Sequence, residues 1–108
     1  AESKDWARVR DMLQSYETSL ATMPLANALY AEALMRLGQN DQARVRLASQ
    51  LLREPDNRRV RVLLGEVKLA LEDADGALET LAPVADWTDA GLLERKLLAE
   101  AKARASGS

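Results

Sequence analysis

"RLGQNDQARVRLASQLLREPDN", Arg36 to Asn57, decides the fold. Gly38 closes one helical segment, and the polar turn Gly38 to Asp41 opens the next. Ala43 and Leu47 then fall four apart, on one helix face. Pro55, in "EPDN", stops the segment. Much of this order returns 34 residues later. A shift of 34 sets Ala31 on Gly65, Leu37 on Leu71, Asp41 on Asp75, Ala43 on Ala77 and Leu47 on Leu81, with Tyr30 on Leu64. A repeat of this length built from two helices marks stacked helix pairs, because one pair cannot bury both of its apolar faces alone.

The rest of the chain is punctuated in the same way. "ATMP" ends at Pro24, "EDADG" spans Glu72 to Gly76, and "DWTDAG" spans Asp86 to Gly91. Between these breaks the spacing predicts six helices: Ser3 to Leu20, Leu25 to Leu37, Asp41 to Arg53, Arg58 to Leu71, Ala74 to Ala85 and Asp89 to Ala105. Trp6, Val9, Leu13, Tyr16 and Leu20 form one stripe on the first. Leu93, Leu97 and Ala101, flanked by Leu92 and Leu98, form one on the last. Pro83 conflicts with a regular fifth helix, which must end near Leu81 or bend there, leaving Trp87 to pack over its end.

Composition agrees with an all-α reading. The 108 residues are 47% hydrophobic and 30% charged, with four aromatics and no Phe, so the core is built from Leu, Ala and Val. The formal charge of −2 argues against a nucleic-acid binder, which carries a basic face. No apolar run approaches the ~20 residues that span a bilayer, so no membrane insertion is expected. The chain has no His and no Cys, and its five glycines stand alone. General-base imidazole, thiol nucleophile and phosphate-cradling loop are all missing, so neither enzyme activity nor a cofactor or metal is expected. "EDAD" lacks the 12-residue calcium-loop pattern and reads as a helix cap. The chain begins at Ala1, not Met, and ends Ser-Gly-Ser, which suggests a processed protein or a piece of a longer one.

These residues resemble the tetratricopeptide repeat family. The first repeat, 24–57, carries Tyr30 and Ala31, Leu34, Gly38, Ala43, Leu47 and Pro55; the second, 58–91, carries Leu64 and Gly65, Ala77 and Leu81. Residues 1–23 match a second repeat helix without its partner, and 92–108 form a capping helix and tail. The small residues Ala31, Gly65, Ala43 and Ala77 stand where helices approach closest. Four departures mark the pattern: Lys68 where the family has a large apolar residue, Gln50 in place of a small one, Asp89 in place of the closing Pro, and Pro83 inside the last helix of the second repeat. The resemblance implies an all-α, right-handed solenoid of about six helices in antiparallel pairs, strongest over 24–91.

It also implies a protein-interaction module. In the family the first helix of each repeat lines a concave groove that holds a partner segment. Carried over, the groove positions are Leu25, Ala28, Glu32, Met35 and Arg36 in the first repeat and Arg59, Val62, Glu66, Leu69 and Ala70 in the second. The Lys and Asn with which some relatives clamp a C-terminal carboxylate are replaced by Ala28, Val62, Glu32 and Glu66. Two carboxylates there favour a segment with apolar anchors and one or two basic residues over an acidic tail. Against this, Met35, Leu69 and Val62 have the alternative of facing a neighbouring helix. The cluster Arg53, Arg58, Arg59 and Arg61 offers a phosphate or acidic-peptide site, but Glu54, Asp56 and Glu66 lie near enough to make a solvated, neutralised loop the preferred reading. The one-sided end helices make self-association, or a scaffold role in a larger protein, the alternative function, with nucleic-acid binding through the Arg53 to Arg61 cluster a less favoured third. Eleven Arg against four Lys, with abundant Ala and Leu, suggests a bacterial protein of either cytoplasm or periplasm, where such arrays serve in larger assemblies.

Overall fold

The computed structural model describes residues 3–107, and all of their regular structure is helical. They form two compact units, 1–56 and 57–108, each built around a helix pair.

In the first unit, α1 (Ser3–Gln14) is followed by a 3-10 turn (Glu17–Thr22), α2 (Pro24–Arg36) and α3 (Asn40–Arg53). Pro24 occupies the first turn of α2, where its missing N–H has no intrahelical acceptor to lose. α2 packs on both α1 and α3 and is buried on nearly every face: Asn27, Ala28 and Tyr30 through Met35 are all buried. Ala43 and Leu47 are fully buried on α3. The small residues let the backbones of α2 and α3 approach, and each large one, such as Leu34 or Leu47, contributes about 1.5–3 kcal/mol by leaving water.

The second unit runs α4 (Arg58–Ala70), α5 (Ala74–Leu81), a 3-10 turn (Ala82–Asp86) and α6 (Leu92–Gly107). The Asn57 side chain caps α4 by accepting from Val60 N at 3.1 Å, and Asp73 caps α5 by accepting from Gly76 N at 3.0 Å. "EDAD" is therefore the cap it was expected to be. The core joins Leu69 of α4 to Ala77, Leu81 and Val84 and to Leu97, Leu98 and Ala101 of α6; Trp87 packs against it. At Gly65 even one methyl group would run into Leu81, so glycine is what allows α4 and α5 to close on each other.

The two helix pairs stop and restart in the same way. In the first, Gly38 N donates to Met35 O (3.0 Å) and Gln39 N to Leu34 O (2.8 Å). In the second, Glu72 N donates to Leu69 O (3.0 Å) and Asp73 N to Lys68 O (2.8 Å). This is a Schellman stop, and each atom of it recurs 34 residues later. The stop needs one residue in the left-handed region. Gly38 supplies it at φ 84°, and Glu72 adopts it at φ 63° without glycine's freedom.

Two expectations are corrected. The first helix ends at Gln14, not Leu20; the chain tightens into a 3-10 turn, which takes Tyr16 off the stripe and leaves it 56% exposed while Leu20 is fully buried. The sixth helix begins at Leu92, not Asp89, and buries Leu97, Leu98 and Ala101, whereas Leu92 and Leu93 are exposed. Of the two outcomes that Pro83 allowed for the fifth helix, the first holds: the α-helix ends at Leu81, and Pro83 sits in the 3-10 turn that follows.

Candidate functional site

The expected partner-facing positions separate by depth. On α2, Ala28, Glu32 and Met35 are buried, while Leu25 is 88% exposed and Arg36 reaches solvent. Glu32 is held by Arg36 one turn on, at 3.3 Å. On α4, Arg59 and Ala70 are exposed, Val62 and Glu66 are half-buried, and Leu69 is buried. Leu69 belongs to the core that α4 shares with α6, and Val62 packs against that core. Arg104 of α6 donates to Leu69 O at 3.2 Å, so these two positions face a neighbouring helix.

A cleft of about 420 Å³ remains in the second unit, between the end of α4 and α6. Glu66, Leu69 and Ala70 line one side, and Leu97, Glu100 and Arg104 the other, with Glu72 at the mouth. Three of the expected positions thus meet at one opening. Leu69, Ala70 and Leu97 share its lining with Glu66, Glu72 and Glu100; Arg104 is engaged by Glu100 at 2.6 Å. Such an opening takes a long aliphatic stem with a cationic end better than a carboxylate.

Two members of the basic cluster are engaged within the second unit. Arg58 lies over the Trp87 ring, 4.6 Å from its centroid, and donates to Asp89 at 2.6 Å. That hydrogen bond, with the added charge attraction, holds the Asp89 carboxyl below the usual carboxylate range. Arg61 donates to Thr80 O at 3.0 Å. Among the described residues no group of acidic side chains is arranged to hold a metal ion, and no helix is long and apolar enough to cross a membrane.

Sequence reasoning passed over a polar network in the first unit. Asn27 and Gln50 are both buried, and Asn27 Nδ2 donates to Gln50 Oε1 at 2.7 Å. Gln50 Nε2 donates in turn to Pro24 O and to Glu54. Arg46 donates to Asn27 Oδ1 at 3.1 Å and to Glu17 at 2.9 Å, and lies 4.6 Å from the centroid of the Tyr30 ring. The signal was present: Gln50 departs from the repeat pattern. The other departures resolve likewise, since Lys68 donates to the buried Thr80 hydroxyl at 2.9 Å and Asp89 receives Arg58.

A family model described as tetratricopeptide repeat matches residues 1–60, which span α1, α2, α3 and the first residues of α4. Comparison with curated proteins and with solved structures gave no match. Proteins of this family generally mediate protein–protein interaction. With the match covering more than half of the chain, on helices that pair and stop as the repeat requires, the chain belongs to the tetratricopeptide repeat family.

Proposed function

We propose that the chain is a non-catalytic interaction module that holds a partner segment along the exposed edges of its first helices, as part of a larger bacterial assembly. The observation that carries this reading is the cleft of the second unit, where Glu66, Leu69 and Ala70 line one opening with Leu97, Glu72, Glu100 and Arg104. A Lys or Arg of the partner fills it, its stem on Leu69 and Leu97 and its charge among Glu66, Glu72 and Glu100. Leu25, Arg36 and Arg59 are the accessible remainder of the expected positions. Because the surface is preformed on helices, little ordering cost falls on this chain when the segment binds. Pull-down of partners by the intact chain, compared with Glu66→Lys/Glu100→Lys and Ala70→Trp variants, tests it. Loss of the same partners from both variants is expected; retention of all of them by both refutes the cleft.

A second reading is self-association. Met12, Tyr16, Met23 and Leu25 in the first unit are between 42% and 88% exposed, more apolar surface than one end of a small unit needs. Sedimentation over a range of concentrations decides it: mass rising with concentration supports the reading, and a monomer throughout removes it.

A further inference from the structure

Apart from those positions, an open depression of about 440 Å³ lies on the first unit between the 3-10 turn and α3. Its α3 wall carries Gln42, Arg46, Ser49 and Arg53, spaced by four, three and four residues and so on one helix face, with the exposed Val45 beside them. Glu17 stands opposite. The walls therefore carry two guanidinium groups against one carboxylate.

Arg46 is held from behind. One terminal nitrogen donates to Asn27 Oδ1, the group lies over Tyr30, and Asn27, 3% exposed, is itself fixed by Gln50. The other terminal nitrogen points outward and donates to Glu17, whose side chain is half exposed. An exposed ion pair of this kind is weak and open to exchange. Arg53 is exposed and makes no hydrogen bond or ion pair among the described residues. The depression thus holds one preorganised guanidinium with an internal carboxylate seated on it, and a second that is unpaired among the described residues.

We propose that this depression docks an acidic peptide segment of a partner protein, one carboxylate replacing Glu17 on Arg46 and a second pairing with Arg53. Ser49, between the two, is placed to bond the peptide backbone. The seven steps from residue 46 to residue 53 span about 10 Å of helix axis. A polyproline-II segment rises about 3.1 Å per residue with three residues per turn, so acidic side chains at i and i+3 share a face about 9 Å apart. That spacing matches, and Arg suits carboxylate geometry better than Lys does. A nucleic-acid strand fits less well, since Glu17 lies on the wall and the whole chain is at −2. The site shares no element with the α4–α6 cleft, so each proposal stands or falls alone.

The test is titration of the purified 108-residue chain at low salt with Ac-Glu-Pro-Pro-Glu-NH2, followed by backbone amide shifts. Ac-Gln-Pro-Pro-Gln-NH2 and a short oligothymidylate are run beside it. The diacid is expected to shift amides of residues 42–53 and the diamide to leave them in place. Arg53→Gln, at an exposed position, is expected to weaken the diacid several-fold, the upper end of the scale for one exposed ion pair. Glu17→Gln is expected to tighten it several-fold by removing the internal competitor. No shift with the diacid, equal shifts with the diamide, the same affinity in both variants, or stronger binding of the oligonucleotide at these residues would each overturn the proposal.

Discussion

Positions 38 and 72 give a test in which backbone conformation is separated from packing. Both sit in the left-handed region at the same point of the same hydrogen-bonded stop, one as Gly at φ 84° and one as Glu at φ 63°. A Cβ added at Gly38 meets nothing within 4 Å, so Gly38→Ala touches no neighbour. The left-handed conformation costs an L-residue roughly 1–2 kcal/mol. Against this, Ala loses about 0.4–1 kcal/mol less chain entropy than Gly on folding. The difference predicts a net loss of about 1 kcal/mol for Gly38→Ala. The same difference predicts a gain of about 1 kcal/mol for Glu72→Gly, because the Glu72 carboxylate makes no hydrogen bond or ion pair among the described residues. Urea unfolding followed by far-UV circular dichroism reads both. With slopes of about 1–3 kcal/mol per molar, the midpoints should move by roughly 0.3–1 M in opposite directions at constant slope. Glu72→Asn should recover part of the gain, since Asn tolerates this region. If Glu72→Gly lowers the midpoint, or Gly38→Ala leaves it unmoved, the stop is not strained where the dihedral angles place the strain.

Gly65→Ala should destabilise by about 2 kcal/mol: the new methyl meets the fully buried Leu81, with two of its carbons at 2.5 and 2.8 Å, an overpacking cost near 3 kcal/mol set against about 1 kcal/mol of better helix propensity. Thermal unfolding checks it, and a rise in melting temperature refutes the close approach. Asp89 should titrate below an ordinary carboxylate and return toward it in Arg58→Ala, as read by carboxyl NMR shifts; an unchanged value there would assign the depression to something other than Arg58. Because the folded value is the lower one, the pair's contribution to stability is complete above the unfolded carboxylate value and is lost as pH falls through the folded one. Asn27→Ala should cost about 2 kcal/mol by stranding Gln50 Oε1 and one Arg46 nitrogen, and Asn27→Leu/Gln50→Leu should cost less than Asn27→Leu and Gln50→Leu summed; denaturant titration of the four variants decides.

The helix pairs were legible because their turns are written in residues with one mechanical meaning. Gly38, Pro24 and Asp73 each fix a local geometry, and the observed ends of α2, α3 and α4 fall within a residue of the predicted ones. The end of α1 was not legible. The three- and four-residue apolar spacing runs unbroken through Leu13, Tyr16 and Leu20, although no α-helix continues there, and neither Gly nor Pro marks the stop. Leu92 and Leu93 misled for a related reason: periodicity shows that a face is apolar without showing that anything covers it. The family match also reaches the N-terminal segment, where the resemblance was weakest to the eye, and stops at residue 60, before Lys68, Pro83 and Asp89. Of the candidate site, sequence spacing named Glu66, Leu69 and Ala70. It had no means of finding Glu100 or Arg104 opposite them, because α6 meets α4 through tertiary packing and not through any repeat position.

The buried bond between Asn27 and Gln50 has one more effect. The contact of α2 with α3 is made largely by alanines and leucines, and small side chains present a smooth surface along which two helices can slide. A slip of one turn, about 5.4 Å, would still find apolar groups facing apolar groups. It would also strand the buried Asn27 and Gln50 amides, which bond each other only at this offset. The amide pair thus works as a ratchet pawl. It adds little to how firmly the helices hold each other, and it fixes the one offset at which they do so.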